Sequence, residues 1–182
     1  MPDLPAPQII ALAGGCFWCV QAVFEQVRGV LDAESGYSNG QAARPTYEEV
    51  CTGHTGCAEV VRLAYDPARI GTRQLLEIFF TVHDPTQLNR QGADVGTQYR
   101  SGIYTTTPEQ RSAAWQLIGE LEAAHAFNAP IATEVAPLTH YWPAEDYHQD
   151  FFEKHPTQGY CVAVAAPKVA KFRHTFVRFV KV

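Results

Sequence analysis

The junction Gly-Gly-Cys-Phe-Trp-Cys at residues 14–19 constrains the fold of this chain more than any other stretch. The apolar run at residues 9–12 predicts a buried strand before it, and apolar residues at helical spacing over 20–27 predict a helix after it. The chain must therefore turn from strand to helix within this junction. We predict a helix over residues 16–27, with the Cys16 sulfur at its N-terminus.

Cys16 has the surroundings of a redox cysteine. Backbone N–H groups and the dipole at a helix N-terminus favour an anion, so we expect a lowered thiol pKa and a thiolate nucleophile. Phe17 and Trp18 follow directly and can build an apolar wall beside the sulfur. A second cysteine, Cys19, follows Trp18. The junction therefore predicts a reactive thiol with its own substrate pocket.

The five cysteines of the chain are expected to be reduced thiols with chemical roles. Their number is odd, and residues 1–7 lack the basic and apolar regions of a secretory signal. The formal net charge is −5, the basic residues are scattered, and no apolar run is long enough to cross a membrane. We therefore expect a cytoplasmic monomer that binds neither nucleic acid nor a membrane.

Strands and helices are mixed along the chain, which favours one α/β layer sandwich over residues 1–182, with residues 1–7 as a ragged tail. Strands are predicted over residues 8–13, 58–65, 101–105 and 131–138. Further helices are predicted from Thr72 to His83, from Thr107 to about residue 126, and over 144–153. Residues 36–56 and 84–98 are interpreted as long functional loops. The apolar stretch after residue 159 is expected to be ordered.

Seven short blocks, in one order along the chain, resemble the A type of peptide methionine sulfoxide reductases. They are Gly-Cys-Phe-Trp at 15–18, Gly-Tyr at 36–37, Pro-Thr-Tyr-Glu-Glu-Val-Cys at 45–51, Gly-Cys-Ala-Glu at 56–59, His-Asp-Pro at 83–85, Gly-Thr-Gln-Tyr-Arg-Ser at 96–101 and Pro-Ala-Glu-Asp-Tyr-His-Gln at 143–149. The resemblance implies a ferredoxin-like two-layer sandwich with a mixed sheet. It also implies reduction of the S epimer of methionine sulfoxide, free or in proteins, with no bound cofactor and with thioredoxin as the usual reductant.

Two residues would carry the chemistry of such a reduction. The nucleophile must be a thiolate that attacks the sulfoxide sulfur, and Cys16 has the placement for it. The sulfoxide oxygen must be protonated, and a carboxylic acid does this best when burial raises its pKa. Glu59 lies in the apolar stretch 58–61 and matches the acid of the family, the alternative being an exposed strand glutamate.

The remaining substrate contacts follow from the resemblance. Tyr47 and Tyr99 occupy the tyrosine positions of the family and can donate hydrogen bonds to the same oxygen. Asp94 matches the aspartate that orients the substrate through its backbone amide. Phe17 and Trp18 are expected to cage the substrate methyl group, which would reject the other epimer. The alternatives are structural tyrosines, a solvated aspartate and core packing.

The sulfenic acid left on Cys16 condenses with a second thiol to form a disulfide. We favour Cys19 as this resolving thiol, because a Cys-x-x-Cys pair closes a short loop. Cys161 occupies the usual recycling position of the family and is the alternative, and Cys51 or Cys57 is less favoured. Cys57 also stands where the family usually has His, and we interpret it as a small buried residue.

A thioredoxin-like dithiol oxidoreductase is the first competing interpretation, since Cys16 and Cys19 flank two residues at a helix start. Such a protein would leave the blocks around Tyr47, Glu59 and Tyr99 unexplained.

A zinc-binding module is the second alternative. Its ligands would be Cys16, Cys19, Cys51 and Cys57, with His54 nearby. The spacing of the second cysteine pair is wider than usual for zinc, so we expect no metal.

Overall fold

The computed structural model describes residues 4–182, and this part of the chain contains eight strands. The strands are β1 (Gln8–Ala13), β2 (Val30–Ser38), β3 (Ala58–Tyr65), β4 (Arg90–Gln91), β5 (Asp94–Val95), β6 (Gly102–Thr105), β7 (Glu134–Pro137) and β8 (Trp142–Pro143). Residues 1–3, the start of the predicted tail, lie outside the described residues. Residues 4–7 are exposed and irregular.

Six of these strands form one mixed sheet in the order β7-β6-β1-β3-β2-β8. The pair β6–β7 is parallel, and the other neighbours are antiparallel. Strands β4 and β5 form a separate hairpin. The predicted α/β two-layer sandwich with a mixed sheet is therefore confirmed.

Helices cover one face of the sheet. They are α1 (Phe17–Phe24), α2 (Tyr47–Cys51), α3 (Thr72–Val82), α4 (Pro108–Ala123), α5 (Phe151–Lys154) and α6 (Ala166–Thr175). Side chains of a strand alternate between faces, so Ile10 and Leu12 of β1 enter the main core while Ala11 and Ala13 face the other side. The same alternation in β3 puts Glu59 on the helix-covered face together with Val61. A carboxyl group is thereby placed inside an apolar layer.

The prediction that residues 36–56 form one long loop is wrong at its start and in its interior. Strand β2 extends to Ser38, and its polar residues are held in the sheet by β3, whose register supplies the backbone partners. Helix α2 begins after Thr46, whose side chain accepts from the Glu49 N–H at 3.2 Å while the Glu49 carboxylate accepts from the Thr46 N–H at 2.8 Å. This capping box is a sequence signal that could have predicted the helix.

Several predicted boundaries also differ. Helix α1 ends at Phe24 rather than residue 27, because Val27 forms a bridge with Val180. The strand predicted over 131–138 is limited to β7, and the helix predicted over 144–153 divides into a 3₁₀ turn, Asp146–His148, and α5. The stretch after residue 159 is ordered as predicted, with a π-helical turn, Cys161–Ala165, leading into α6.

Within residues 4–182, every helix is too short or too polar to cross a membrane.

Gly15 and Gly119 offer a matched test of the strand-to-helix turn. Gly15 has φ +91°, and a Cβ there would lie 2.7 Å from Gln91 Cβ, whereas Gly119 lies within α4 with open space around it. We expect Gly15→Ala to lower the free energy of unfolding by roughly 2 kcal/mol. Gly119→Ala should raise it by about 0.5–1 kcal/mol through helix propensity. Urea unfolding at pH 7 measures both, and equal stability of the two variants would contradict the strain at Gly15.

Candidate active site

Cys16 is the N-cap residue of α1, with φ −56° and ψ 127°, and its C=O accepts from the Cys19 N–H at 3.1 Å. The Cys16 side chain is partly exposed, whereas Cys19 is buried one turn into the helix. Both cysteines therefore lie at the N-terminal end of α1.

The predicted lowering of the Cys16 pKa is wrong. Burial raises the pKa of this thiol well above its usual value, and the nearby Glu59 carboxylate and Cys19 raise it further. The Trp18 N–H and the Tyr160 hydroxyl act in the opposite direction but do not reverse the shift. The effect of the helix N-terminus is thus smaller than the cost of desolvating a charged sulfur. Cys16 is a neutral thiol at pH 7.

Glu59 is 1% exposed and belongs to the wall behind Cys16. Its Oε1 accepts from the Phe17 N–H at 3.1 Å, and its Oε2 has no hydrogen-bond partner among residues 4–182. Burial raises the pKa of Glu59 to about 8, the Phe17 N–H partly offsets this, and Asp94 adds to it. The alternative of an exposed strand glutamate does not fit this burial. Glu59 therefore holds a proton at pH 7.

Two tyrosines lie close enough to Glu59 for its charge to shift their pKa. Tyr47 is the first residue of α2, and Tyr99 ends the 3₁₀ turn Thr97–Tyr99. Burial raises the pKa of both tyrosines, and the Glu59 carboxylate raises both further. Both hydroxyl groups consequently keep their protons and can act as donors on this side of the site.

An aromatic wall stands beside Cys16. The Trp18 ring stacks on Phe151 with ring centroids 3.7 Å apart and planes at 4°, and Phe17 lies 5.0 Å from the His148 ring. Trp18 Nε1–H donates to His148 Nδ1 at 3.0 Å, which fixes the indole orientation. The His148 ring also lies 4.5 Å from the Tyr47 ring. His148 and Phe151 were not expected in the site from the sequence, although His148 belongs to one of the family-like blocks.

A buried amide network holds the segment that carries His148 against α1. Gln21 Oε1 accepts from Ser35 Oγ at 3.0 Å and from the Asp150 N–H at 3.1 Å. Gln149 Nε2 donates to the Ser35 C=O at 2.8 Å, and Gln21 Nε2 donates to Gln149 Oε1 at 3.2 Å. Helix α1, β2 and residues 149–150 are thereby joined, so the aromatic wall is fixed to the helix that carries Cys16.

Asp94 lies at the start of β5 and is joined to Cys19 through a tyrosine. The Tyr160 hydroxyl donates to Asp94 Oδ2 at 2.6 Å. The same hydroxyl oxygen accepts from Cys19 Sγ at 3.7 Å. The Tyr160 ring also meets the Trp18 ring edge-on, with centroids 5.8 Å apart. Tyr160 was not among the predicted site residues, and its only sequence signal is its place beside Cys161.

The other cysteines have different surroundings. Cys161 is fully buried at the start of the π-helical turn, where its N–H donates to Gln158 Oε1 at 3.1 Å. Cys51 is exposed on α2, and Cys57 is buried against Gly40. In the part of the chain that the structure describes, no three His, Cys, Asp or Glu side chains are grouped so that they could hold a metal ion. The four cysteines of the zinc alternative are not brought together.

Comparisons with known proteins agree with this geometry over nearly the whole chain. A family model described as peptide methionine sulfoxide reductase matches residues 8–179. Peptide methionine sulfoxide reductase MsrA of Ralstonia nicotianae is 52% identical over 180 residues, which are 97% of this chain and 94% of the relative. Mxr1 of Saccharomyces cerevisiae in reduced form is similar in structure, with TM-score 0.79 and 33% identity over 88% of this chain and 91% of the yeast chain. Mxr1 in complex with Trx2 shares the fold, with TM-score 0.55 and 22% identity over 83% and 87% of the two chains.

The raised pKa of Glu59 should be visible in the pH dependence of stability. The unfolded chain gives up this proton near pH 4.5 and the folded chain near pH 8, so stability is lost as pH rises between the two. We expect the free energy of unfolding of Glu59→Gln, relative to the unsubstituted protein, to rise by roughly 3 kcal/mol from pH 5 to pH 7.5. Chemical denaturation at both pH values measures the difference. Parallel pH profiles would show that Glu59 is ionised in the folded protein.

Proposed function

This chain belongs to the peptide methionine sulfoxide reductase family, and we propose that Cys16 is the nucleophile with which it reduces methionine sulfoxide. The membership makes the chain an oxidoreductase that acts on methionine sulfoxide. The observation that carries the assignment of roles is the burial of the Glu59 carboxyl beside the N-terminus of the helix that Cys16 caps, where its Oε1 accepts from the Phe17 N–H. This burial raises the pKa of Glu59 to about 8 and favours the protonated acid. An acid and a thiol at one site are what sulfoxide reduction needs.

In the first step the Glu59 carboxyl gives its proton to the sulfoxide oxygen as the Cys16 sulfur attacks the sulfoxide sulfur. The resulting carboxylate takes the Cys16 thiol proton during the attack, so the sulfur reacts as a thiolate that exists only in this step. The hydroxyl group then moves from the substrate sulfur to the Cys16 sulfur, so that the substrate S–O bond breaks and an S–O bond to Cys16 forms. The bond between the two sulfurs breaks in the same collapse, its electron pair returns to the substrate sulfur, and methionine leaves a sulfenic acid on Cys16. Glu59 ends the step protonated, so it acts as a shuttle, and a thiol whose pKa burial has raised can still react.

Selectivity for the S epimer is assigned to two groups of side chains. The hydroxyls of Tyr47 and Tyr99 donate to the oxygen as negative charge develops on it. Phe17 and Trp18 receive the methyl group, while Asp94 accepts a hydrogen bond from the substrate backbone. In the R epimer the methyl group and the oxygen exchange places, so the methyl group would meet the donors and the oxygen the apolar wall.

Cys19 resolves the sulfenic acid in this proposal. Its sulfur attacks Cys16, the S–O bond breaks, and water leaves as the disulfide forms. The two cysteines lie in the first turn of α1, so little chain movement is needed. Cys161 is the alternative. It is fully buried in an ordered helical segment, so this segment would have to rearrange before the Cys161 sulfur could reach Cys16. Cys51, which is exposed on α2 beside Tyr47, and Cys57, which is buried against Gly40, remain the less favoured alternatives.

We infer that thioredoxin, or a protein of its type, reduces the disulfide. The family resemblance supports this, and yeast Mxr1, which shares the fold, forms a complex with Trx2. We also infer a cytoplasmic location from the five free thiols, and a single reductase domain from a family match over residues 8–179. A thiol reductant then suffices without a bound cofactor.

A coupled assay tests the proposed activity. NADPH consumption through thioredoxin and thioredoxin reductase is measured with the S and the R epimer of a blocked methionine sulfoxide. We expect turnover with S alone, loss of turnover in Cys16→Ser, and retention in Cys57→Ala, which removes a buried thiol that contacts Gly40. Turnover with dithiothreitol only would point to another reductant. Inactivity towards both epimers together with reduction of unrelated disulfides would favour the dithiol oxidoreductase.

The role of Glu59 predicts a characteristic pH profile. Because its pKa is raised to about 8, the rate of the unsubstituted enzyme should fall above that pH as the acid ionises. Glu59→Gln should lower kcat by about 10²–10⁴-fold with little change in KM and should lack this alkaline fall. Glu34→Gln, which changes a carboxyl on the neighbouring strand β2, is the matched control and should keep kcat. A change in KM alone would make Glu59 a binding residue.

A further inference from the structure

The Tyr160 hydroxyl connects the sulfur of Cys19 to a carboxylate. It lies 3.7 Å from Cys19 Sγ, which donates to it, and 2.6 Å from Asp94 Oδ2, to which it donates. Its ring is held against the Trp18 ring. A thiol, a phenol and a carboxylate therefore form one directed chain of hydrogen bonds that begins at Cys19.

We propose that Tyr160 and Asp94 form a proton relay that deprotonates Cys19 as it attacks the sulfenic acid on Cys16. The inference rests on the proposed function, in which Cys19 is the resolving thiol. The Cys19 proton passes to the Tyr160 oxygen while the Tyr160 proton passes to Asp94. The S–O bond of Cys16 breaks, the hydroxyl group takes a proton from Glu59 and leaves as water, and the Cys16–Cys19 bond forms. Asp94 then returns its proton to solvent, and Glu59 is reprotonated.

The relay answers a difficulty created by burial. The thiolate rather than the thiol attacks, yet burial raises the pKa of Cys19. The charges that face this sulfur have opposing effects, since Lys168 and the Tyr160 hydroxyl favour the thiolate while Asp94 and Cys161 disfavour it. If the Cys19 proton is accepted only during the attack, Cys19 does not have to be ionised in the resting enzyme.

Tyr160 is suited to pass a proton and unsuited to keep a negative charge. Burial raises the pKa of its phenol, and Cys16 and Cys19 raise it further, so a phenolate is costly. A phenol can accept and donate at the same oxygen, which allows one proton to arrive as another leaves. Asp94 is partly exposed in the β4–β5 hairpin, where a proton can be released to water. The direction of transfer is therefore from the buried thiol outward.

A single-turnover experiment separates the two chemical steps. Reduced protein is mixed with the S epimer of a blocked methionine sulfoxide and quenched at intervals without a reductant. Released methionine reports the first step, and disulfide formation with dimedone trapping of sulfenic acid reports the second. In Tyr160→Phe we expect methionine release within about tenfold of the unsubstituted rate, slowing of disulfide formation by about 10²-fold at pH 7, and accumulation of trapped sulfenic acid.

The second readout is the pH profile of disulfide formation. The rate of Tyr160→Phe divided by that of the unsubstituted protein should rise with pH, because Cys19 of the variant must ionise by itself. Ionisation of Glu59 slows both proteins alike and does not alter this ratio.

Asp94→Asn should also slow disulfide formation, since an amide accepts the phenol hydrogen bond but does not take its proton. Because Asp94 also orients the substrate, methionine release of this variant should slow as well, and only its disulfide formation tests the relay. Tyr141→Phe is the matched control, because Tyr141 donates to Glu34 Oε1 at the same 2.6 Å, on the other face of the sheet.

Three results keep failure of the relay distinct from failure of the function on which it rests. Disulfide formation at the unsubstituted rate in Tyr160→Phe, or equal slowing of both steps, overturns the relay. If Cys19→Ser forms a Cys16–Cys161 disulfide at the unsubstituted rate, as peptide mapping would show, the resolving role of Cys19 is wrong and the relay falls with it. Absence of methionine release from the unsubstituted protein overturns the proposed nucleophilic chemistry itself.

Discussion

The hydrogen bond from the Phe17 N–H to Glu59 Oε1 joins the two layers of the molecule at its reactive end. It links the first turn of helix α1 to strand β3, and both elements contribute residues to the apolar core. A carboxyl group in that layer is costly, and the bond uses only one of its oxygens. The same burial that makes Glu59 an acid at pH 7 also raises the pKa of Cys16. The same buried environment therefore favours the protonated form of both Glu59 and Cys16.

The parts of the fold that could be predicted are those specified by local patterns. Strands β1 and β3 have the predicted bounds, and α4 begins after its predicted N-cap, Thr107. Both signals, apolar periodicity and helix capping, depend only on residues close together in the sequence. Strand β2 could not be found this way, since its polar residues become strand only by pairing with β3. The predicted direction of the Cys16 pKa shift is wrong for a related reason. A helix N-terminus is a local feature, whereas burial depends on distant segments.

The residues of the candidate site divide in the same manner. Cys16, Glu59, Tyr47 and Tyr99 belong to blocks whose order along the chain resembles a known family, so the sequence could nominate them. The residues that hold the site in position come from distant parts of the chain. His148, for example, accepts from Trp18, and tertiary packing alone forms this contact. Tyr160 is a clear case, because only the structure brings its hydroxyl between Cys19 and Asp94.

The separation of these partners along the chain has a consequence for synthesis. Trp18 and His148 are 130 positions apart, and Cys19 and Tyr160 are 141 apart. Such long-range contacts form late, because the loops between the partners must close first. During translation the two N-terminal thiols emerge first, well before the aromatic and phenolic residues that enclose them in the finished fold. The nascent chain therefore carries unshielded thiols, open to oxidation, until its last quarter leaves the ribosome.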